Sequence, residues 1–392
     1  MIIKCPICKS TNYLKFLSIK QVPVHCNLMC KDRNAALNVD KGDIDLTLCR
    51  MCGHVFNSSF TPDFMEYAGN YENSLHFSER FREYTNWLAE QLIERYSLSD
   101  KKIIEIGCGQ GDFLKLICER GGNTGIGFDP SYRHEMSTTT NHHSIKIIND
   151  YFSDRLAEPQ VDFIICRHVL EHIYSPMNFL KMINRTVDNR VNTKLFFEVP
   201  SLLWTLRDLS IWDIIYEHYS YFSSYSLRQL FVRCGFSVHG IYETYEKQFL
   251  CIEASKSSHR NGKFKLNRNG IKNLENYASE LSEKYKTKIS EAKNLLADSR
   301  HAKKKTVLWG AGSKGVTFLN LLNIGNQIRY VVDINPRKQG MYIAGTGQRI
   351  VEPEFLKIYK PDYVIVMNPI YMNEIKHYTN NELGLSIQLF SV

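Results

Sequence analysis

Residues 102–112 read Lys102-Ile103-Ile104-Glu105-Ile106-Gly107-Cys108-Gly109-Gln110-Gly111-Asp112, an apolar run, three alternating glycines, then a helix-like segment expected to end at Glu119. Strand, tight turn and helix in that order let the backbone approach a ligand at the carboxyl edge of a sheet, because glycine adopts turn conformations that a side chain would hinder. Glu105 stands two residues before the first glycine. Gly125 to Phe128 reads as the next strand and ends in Asp129, where a carboxylate can hold both hydroxyls of a ribose. Asp150, in Asn149-Asp150-Tyr151-Phe152, follows a third expected strand and is placed to accept from an adenine amino group. Apolar strands at Val161–Cys166 and Leu195–Val199 complete an alternation that implies a parallel α/β sheet.

Further along the chain, Ile271, Leu274, Tyr277, Leu281, Tyr285, Ile289 and Leu296 recur at mostly three- or four-residue intervals, which predicts one amphipathic linking helix. After it a second strand–turn–helix pattern begins. Thr306 to Trp309 runs into Gly310-Ala311-Gly312-Ser313-Lys314-Gly315, Tyr330 to Val332 ends in Asp333, and Tyr363 to Met367 is apolar. A phosphate or a second nucleotide could sit at that helix start. Asn368-Pro369 reads as a turn at the mouth of the same sheet.

Toward the amino end, Cys5-Pro6-Ile7-Cys8 and Cys49-Arg50-Met51-Cys52-Gly53 can present four thiolates tetrahedrally, the geometry of a closed structural zinc site. Cys26, Cys30, His25 and His54 are read as packing or surface residues. A Tyr-dense stretch from Tyr67 to Tyr84 leads into a helix expected to end near Tyr96. These boundaries divide the chain into a zinc module (1–58), a helical arm or lid (59–100), a first α/β domain (101–260), a linker helix (261–302) and a second Rossmann-like domain (303–392).

At 392 residues the chain is long enough for several cores, and 43% hydrophobic with 23% charged residues is too apolar for disorder. The net charge of +8 is local: residues 255–305 hold 14 Lys/Arg against 5 Asp/Glu, so no basic face points to nucleic acid. No stretch approaches the roughly 18 apolar residues of a membrane span, and the amino end lacks the architecture of a secretory leader. The 11 cysteines include an odd, scattered remainder, which favours reduced thiols. A cytoplasmic protein without a membrane partner is expected.

The glycine loop, Asp129, Asp150 and the segment Arg167-His168-Val169-Leu170-Glu171-His172-Ile173 together resemble the class I S-adenosylmethionine-dependent methyltransferases. The resemblance assigns cofactor contacts to Glu105, Gly107, Gly109, Asp129, Asp150 and Tyr151. A second dense segment, Trp212-Asp213-Ile214-Ile215-Tyr216-Glu217-His218-Tyr219, combines an imidazole, a carboxylate and phenols, as proton transfer requires. With the cysteine module and the second Rossmann-like unit, it is similar to the three-domain sugar C-methyltransferases acting on nucleotide-linked 4-keto-deoxysugars, here as a sister group.

That resemblance implies that His218 removes the proton alpha to a ketone, Glu217 orients it, and Tyr216 and His172 complete the catalytic set. Tyr71 would cover the cofactor, while His168 and Lys314 would touch the acceptor. Members of the family carry a Tyr where this chain has Ile215 and an Asn where it has His168, and Glu246 to Leu250 replaces their Gly-Gly-Ser segment. Methylation at oxygen or nitrogen, a non-catalytic cofactor-binding module and a nicotinamide-dependent oxidoreductase remain the alternatives. The acceptor, the methylated atom and the oligomeric state are not encoded in these motifs.

Overall fold

The computed structural model describes residues 2–65, 71–132, 137–140, 143–153, 160–187, 192–257 and 267–392. Tyr67 and the expected boundary at 260/261 lie outside the described residues. The first glycine-rich stretch forms the centre of an eight-stranded sheet. Its order is Phe236–Thr244, Phe249–Lys256, Lys194–Pro200, Phe163–Arg167, Lys102–Ile106, Thr124–Phe128, His143–Ile148, Ser137–Thr140. The five strands from Lys194–Pro200 to His143–Ile148 run parallel, and the hairpins at both edges are antiparallel. Strand order reverses at Lys102–Ile106, which opens a crevice at its carboxyl end.

The expected elements sit where the apolar pattern put them. Gly111 takes φ 84° ahead of the helix Asp112–Gly121, and Gly122 ends it at φ 66°, a left-handed cap that suits a residue without Cβ. Phe113, Leu114, Ile117 and Cys118 form its buried face. The arm contributes the helix Glu79–Tyr96, started by Ser78, whose side chain accepts from Phe81 N. The linker is a single helix, Arg268–His301, burying Ile271, Leu274, Ala278, Leu281, Ala292 and Leu296.

A second sheet of five parallel strands has the order Arg349–Val351, Ile328–Val332, Thr306–Trp309, Tyr363–Val366, Gln388–Ser391, with its own reversal at Thr306–Trp309. The molecule is thus a class I methyltransferase Rossmann-like fold with a second carboxy-terminal α/β domain. The amino-terminal sheet contains Tyr13–Pro23, Lys41–Cys49 and Val55–Asn57, and its fourth strand, Ser220–Tyr221, comes from the segment carrying His218. One apolar core runs from Ile44 and Leu46 of this sheet through Leu274 and Leu281 of the linker helix to Phe318 and Leu319 beyond. Each such fully buried side chain contributes roughly 1.5–3 kcal/mol.

Candidate active site

A cavity of about 750 Å³ lies at the carboxyl ends of both parallel sheets. It is lined by the first loop (Gly107, Gly109), by the second (Gly310, Gly312), and by His168, His172 and His218 between them.

At the first loop, Gly107 and Gly109 take φ 72° and 57°. A Cβ on Gly107 would lie 2.1 Å from Val169 Cγ2, whereas one on Gly109 would meet nothing within 4 Å. Gly109 N donates to Asp129 Oδ2 at 2.8 Å, and Ser131 N and Oγ donate to Asp129 Oδ1 at 2.8 and 2.6 Å. The Asp129 carboxylate therefore braces the loop and retains acceptor capacity for ligand hydroxyls. Glu105 is buried, its Oε2 has no hydrogen-bond partner, and burial pushes its pKa up to about 8. Such an orphaned carboxyl beside Asp112 and Asp129 fits a ligand carrying an ammonium and a sulfonium. Tyr151 borders the cavity although 58% exposed, while Phe152, buried edge-on to Phe128, forms the inner wall. Asp150 is exposed and does not line the cavity; its Oδ1 accepts from Tyr151 N.

The next wall follows the strand Phe163–Arg167. His168 has φ 54°, strained for a residue with a side chain, and its amide donates to Glu198 O at 2.9 Å. Its Nε2 is 3.0 Å from Glu198 Oε1 and its Nδ1 3.7 Å from Glu171 Oε1. Burial opposes charge on this ring, but the two carboxylates outweigh it and lift the pKa to about 9. Glu198, fully buried, also receives Arg167 at 2.9 Å and Tyr84 of the arm helix; despite burial, Arg167 and His168 hold its pKa at about 2. His168 therefore borders the cavity with its charged form favoured by two carboxylates.

His172 ends a short 3₁₀ turn, Leu170–His172, and its Nδ1 lies 3.1 Å from Glu217 O. A carbonyl only accepts, so Nδ1 is the donor, and in the neutral ring Nε2 is the nitrogen with the lone pair. His218 crosses His172 at 75° with ring centroids 5.1 Å apart and also contacts Tyr221. Burial, then the His172, His168 and Lys314 charges, hold its pKa well below the usual value, so its imidazole is neutral near pH 7.

Two expected members of this set point elsewhere. The Glu217 carboxylate is fully buried against His25 Nδ1 (3.4 Å) and Cys26 N (3.2 Å), and no described hydrogen bond joins it to His218. Tyr216 is 1% exposed, stacked on Phe60, with its hydroxyl accepting from Thr61 N at 2.8 Å, and it does not line the cavity; Ile215 does. The reason is local: these two consecutive residues sit in a turn, where the amino-terminal module holds both side chains, Tyr216 against Gly42 and Phe60 and the Glu217 carboxylate against His25 and Cys26. Glu217 thus borders the cavity with its carboxylate turned away, while His218 faces inward. His25, part-buried, packs against the Glu217 carboxylate. Tyr71 lines the cavity, bridged to Leu28 and 3.5 Å from Asn27 Nδ2.

At the second loop, Ala311 N donates to Asp333 Oδ2 at 2.8 Å. Lys314 pairs with Asp213 of the first domain. Lys338, 3% exposed, donates to Asn27 Oδ1 (3.2 Å) and Ala311 O (3.1 Å), and no carboxylate lies within 4.0 Å of it among the described residues. Sequence reasoning missed Lys338, Glu198, Arg167 and Glu171. Arg167 and Glu198 were discoverable as lone charges at the ends of otherwise apolar strands.

Away from the cavity, Cys5, Cys8, Cys49 and Cys52 place their Sγ atoms within 4.8 Å of one another. Cys5 to Cys52 is 3.5 Å and Cys8 to Cys49 3.4 Å, a little inside the roughly 3.8 Å that separates thiolates around one tetrahedral zinc. His54 is fully buried beside them, packed against Phe56 and Phe222.

Residues 76–240 match the methyltransferase domain family, and residues 263–384 match the C-methyltransferase C-terminal domain. The chain is a class I S-adenosylmethionine-dependent methyltransferase. This methyltransferase is 25% identical over 396 residues to the C-methyltransferase NovU of Streptomyces niveus, covering 95% of its own length and 91% of that relative. It is 26% identical over 199 residues to O-methyltransferase 12 of Dictyostelium discoideum, covering 47% and 53% of the two chains. It is also 27% identical over 108 residues to the ubiquinone biosynthesis O-methyltransferase of Pseudomonas fluorescens strain Pf0-1, over 26% of this chain and 44% of that one. Among the described residues, no helix of the methyltransferase is long and apolar enough to cross a membrane.

Proposed function

We propose that this enzyme methylates carbon in a nucleotide-linked keto-deoxysugar, through an enolate formed with His218 as base. The observation that carries the reading is a neutral, inward-facing imidazole between an acidic glycine loop and a basic one, in a single cavity. His218 takes the proton alpha to the ketone, leaving the electron pair on carbon and carbonyl oxygen. Bound S-adenosylmethionine supplies an electrophilic methyl group; the acceptor carbon gains it as the sulfonium bond breaks. The His218 proton then passes to solvent. Glu105, Gly107, Gly109 and Asp129 hold the cofactor, with Tyr151 against its ring and Tyr71 in the lid. Lys314, Lys338 and the start of the helix Ser313–Leu322 hold the nucleotide's phosphates.

Cys5, Cys8, Cys49 and Cys52 are proposed to bind a structural zinc, since four protein ligands leave no open position. Its support is the convergence of the four thiols. A cytoplasmic role in surface-polysaccharide or related sugar biosynthesis follows from that acceptor class.

The test is incubation with S-adenosylmethionine and dTDP-, GDP-, UDP- and CDP-linked 4-keto sugars, with mass detection of a methylene-sized gain and of deuterium wash-in beside the ketone. His218→Asn should lower turnover by roughly 10²–10⁴-fold. Substantial turnover without wash-in in that variant favours methylation at oxygen or nitrogen instead.

A further inference from the structure

We propose that Glu171, His172 and His218 form a binding site for a divalent transition-metal ion such as Zn²⁺ or Co²⁺, and that an ion held there silences the enzyme by occupying the base. One ligand atom from each of the three lies within 4.8 Å of the others. His172 Nε2 is 4.0 Å from Glu171 Oε1. Glu171 is 2% exposed, and its Oε2 is buried without a hydrogen-bond partner. Oε1 faces both His172 Nε2 and, at 3.7 Å, His168 Nδ1, so ligation through this carboxylate draws it from His168.

The remaining features fit the same ion. His172 already has the support that metal-binding imidazoles receive, with the other nitrogen on a backbone carbonyl, Glu217 O at 3.1 Å. Neither ring nitrogen of His218 makes a hydrogen bond to a described residue. Tetrahedral zinc places its ligand atoms roughly 3.3 Å apart, so closure needs about 1 Å of side-chain movement. Two imidazoles and one carboxylate select zinc, cobalt or iron over magnesium or calcium. Three protein ligands also leave a coordination position open toward the cavity, unlike the cysteine cluster.

The silencing rests on the proposed role of His218. Ligation uses the lone pair that proton removal needs, and the neighbouring carboxylates are engaged: Glu217 by His25 and Cys26, Asp213 by Lys314, Ser210 and Trp204. Binding itself does not depend on that role.

The full-length protein, stripped with a chelator, is titrated with Co²⁺. The first equivalent should raise the intense thiolate charge-transfer band of the cysteine cluster, and a second should raise only weak visible bands. Glu171→Gln and His172→Gln should each weaken the second equivalent by about 100-fold or more while the thiolate band and the thermal melt stay intact. One equivalent in the native protein, or a second that binds Glu171→Gln as tightly, overturns the site. Turnover of the keto-sugar panel should fall with the second equivalent; turnover that holds or rises overturns the silencing. If no panel sugar is methylated in any metal state, the enolate reading fails, and the cobalt stoichiometry still decides the site.

Discussion

Gly109 gives its amide to Asp129 Oδ2 at 2.8 Å, and Ala311 gives its amide to Asp333 Oδ2 at the same distance. Around that shared brace the two loops diverge. The first has three glycines in left-handed conformations and is backed by Glu105, Asp112 and Asp129; the second has one, Gly310 at φ 112°, and is backed by Asp333, by Lys314 paired with Asp213, and by Lys338. In the first, the tight spot is in the loop, where Gly107 faces Val169. In the second it lies inside the helix, where a Cβ on Gly315 would come within 2.1 Å of Gly310 O. Under the proposed function, one backbone device serves ligands of opposite charge: the loop sets the approach, and side chains around it set the sign.

The sharpest way to break this comparison is a matched pair of alanines. Gly107→Ala adds left-handed strain of about 1–3 kcal/mol to a steric clash, so S-adenosylmethionine affinity should fall by roughly 100-fold in calorimetry. Gly312→Ala, at φ −91° with open space around its Cβ, should leave that affinity unchanged. Equal losses would mean that both loops touch the same ligand.

Charge supplies the next pair. Asp129→Asn should weaken the cofactor by about tenfold, whereas Lys338→Met should spare it and raise the acceptor KM by a similar factor, since hydrogen bonds to charged groups contribute roughly 1.5–3 kcal/mol. A Lys338→Met enzyme with unchanged acceptor KM would remove the anion from the second loop.

The smallest effect concerns the ion pairs beneath the first loop. His168 has its pKa raised to about 9 from 6.5, so its contribution to stability is complete below pH 6.5 and is lost as pH rises through 9. Glu198, lowered to about 2 from 4.5, contributes above pH 4.5 and loses that contribution as pH falls through 2. Urea midpoints of native protein and His168→Gln should therefore converge between pH 6.5 and 9. A gap that stays constant would show His168 to be neutral throughout.

Both loops and their strands were legible because their signals are local: apolar runs of strand length, glycines at a turn, an acid at the next strand end. The linker helix was legible for the same reason, its apolar period running from Ile271 to Leu296 within a 34-residue helix. The surroundings of the reacting centre were not. Glu217 meets His25 across 192 residues of sequence, and Ser220–Tyr221 pairs with Val55–Phe56 as an added strand. Nothing in Tyr216-Glu217-His218 states which side chain faces the cavity, since that depends on a sheet built from the other end of the chain. Lys338 was hidden likewise, because its partners Asn27 and Ala311 come from two distant segments.

The apolar core joining the amino-terminal sheet to the helix Ser313–Leu322 sets a schedule for synthesis. Domains generally fold in the order in which they leave the ribosome. Here Ile44 and Leu46 cannot join Phe318 and Leu319 until the helix Ser313–Leu322 has been made. The amino-terminal sheet therefore finishes packing long after its own strands are synthesised, and its apolar face must be shielded in the interval.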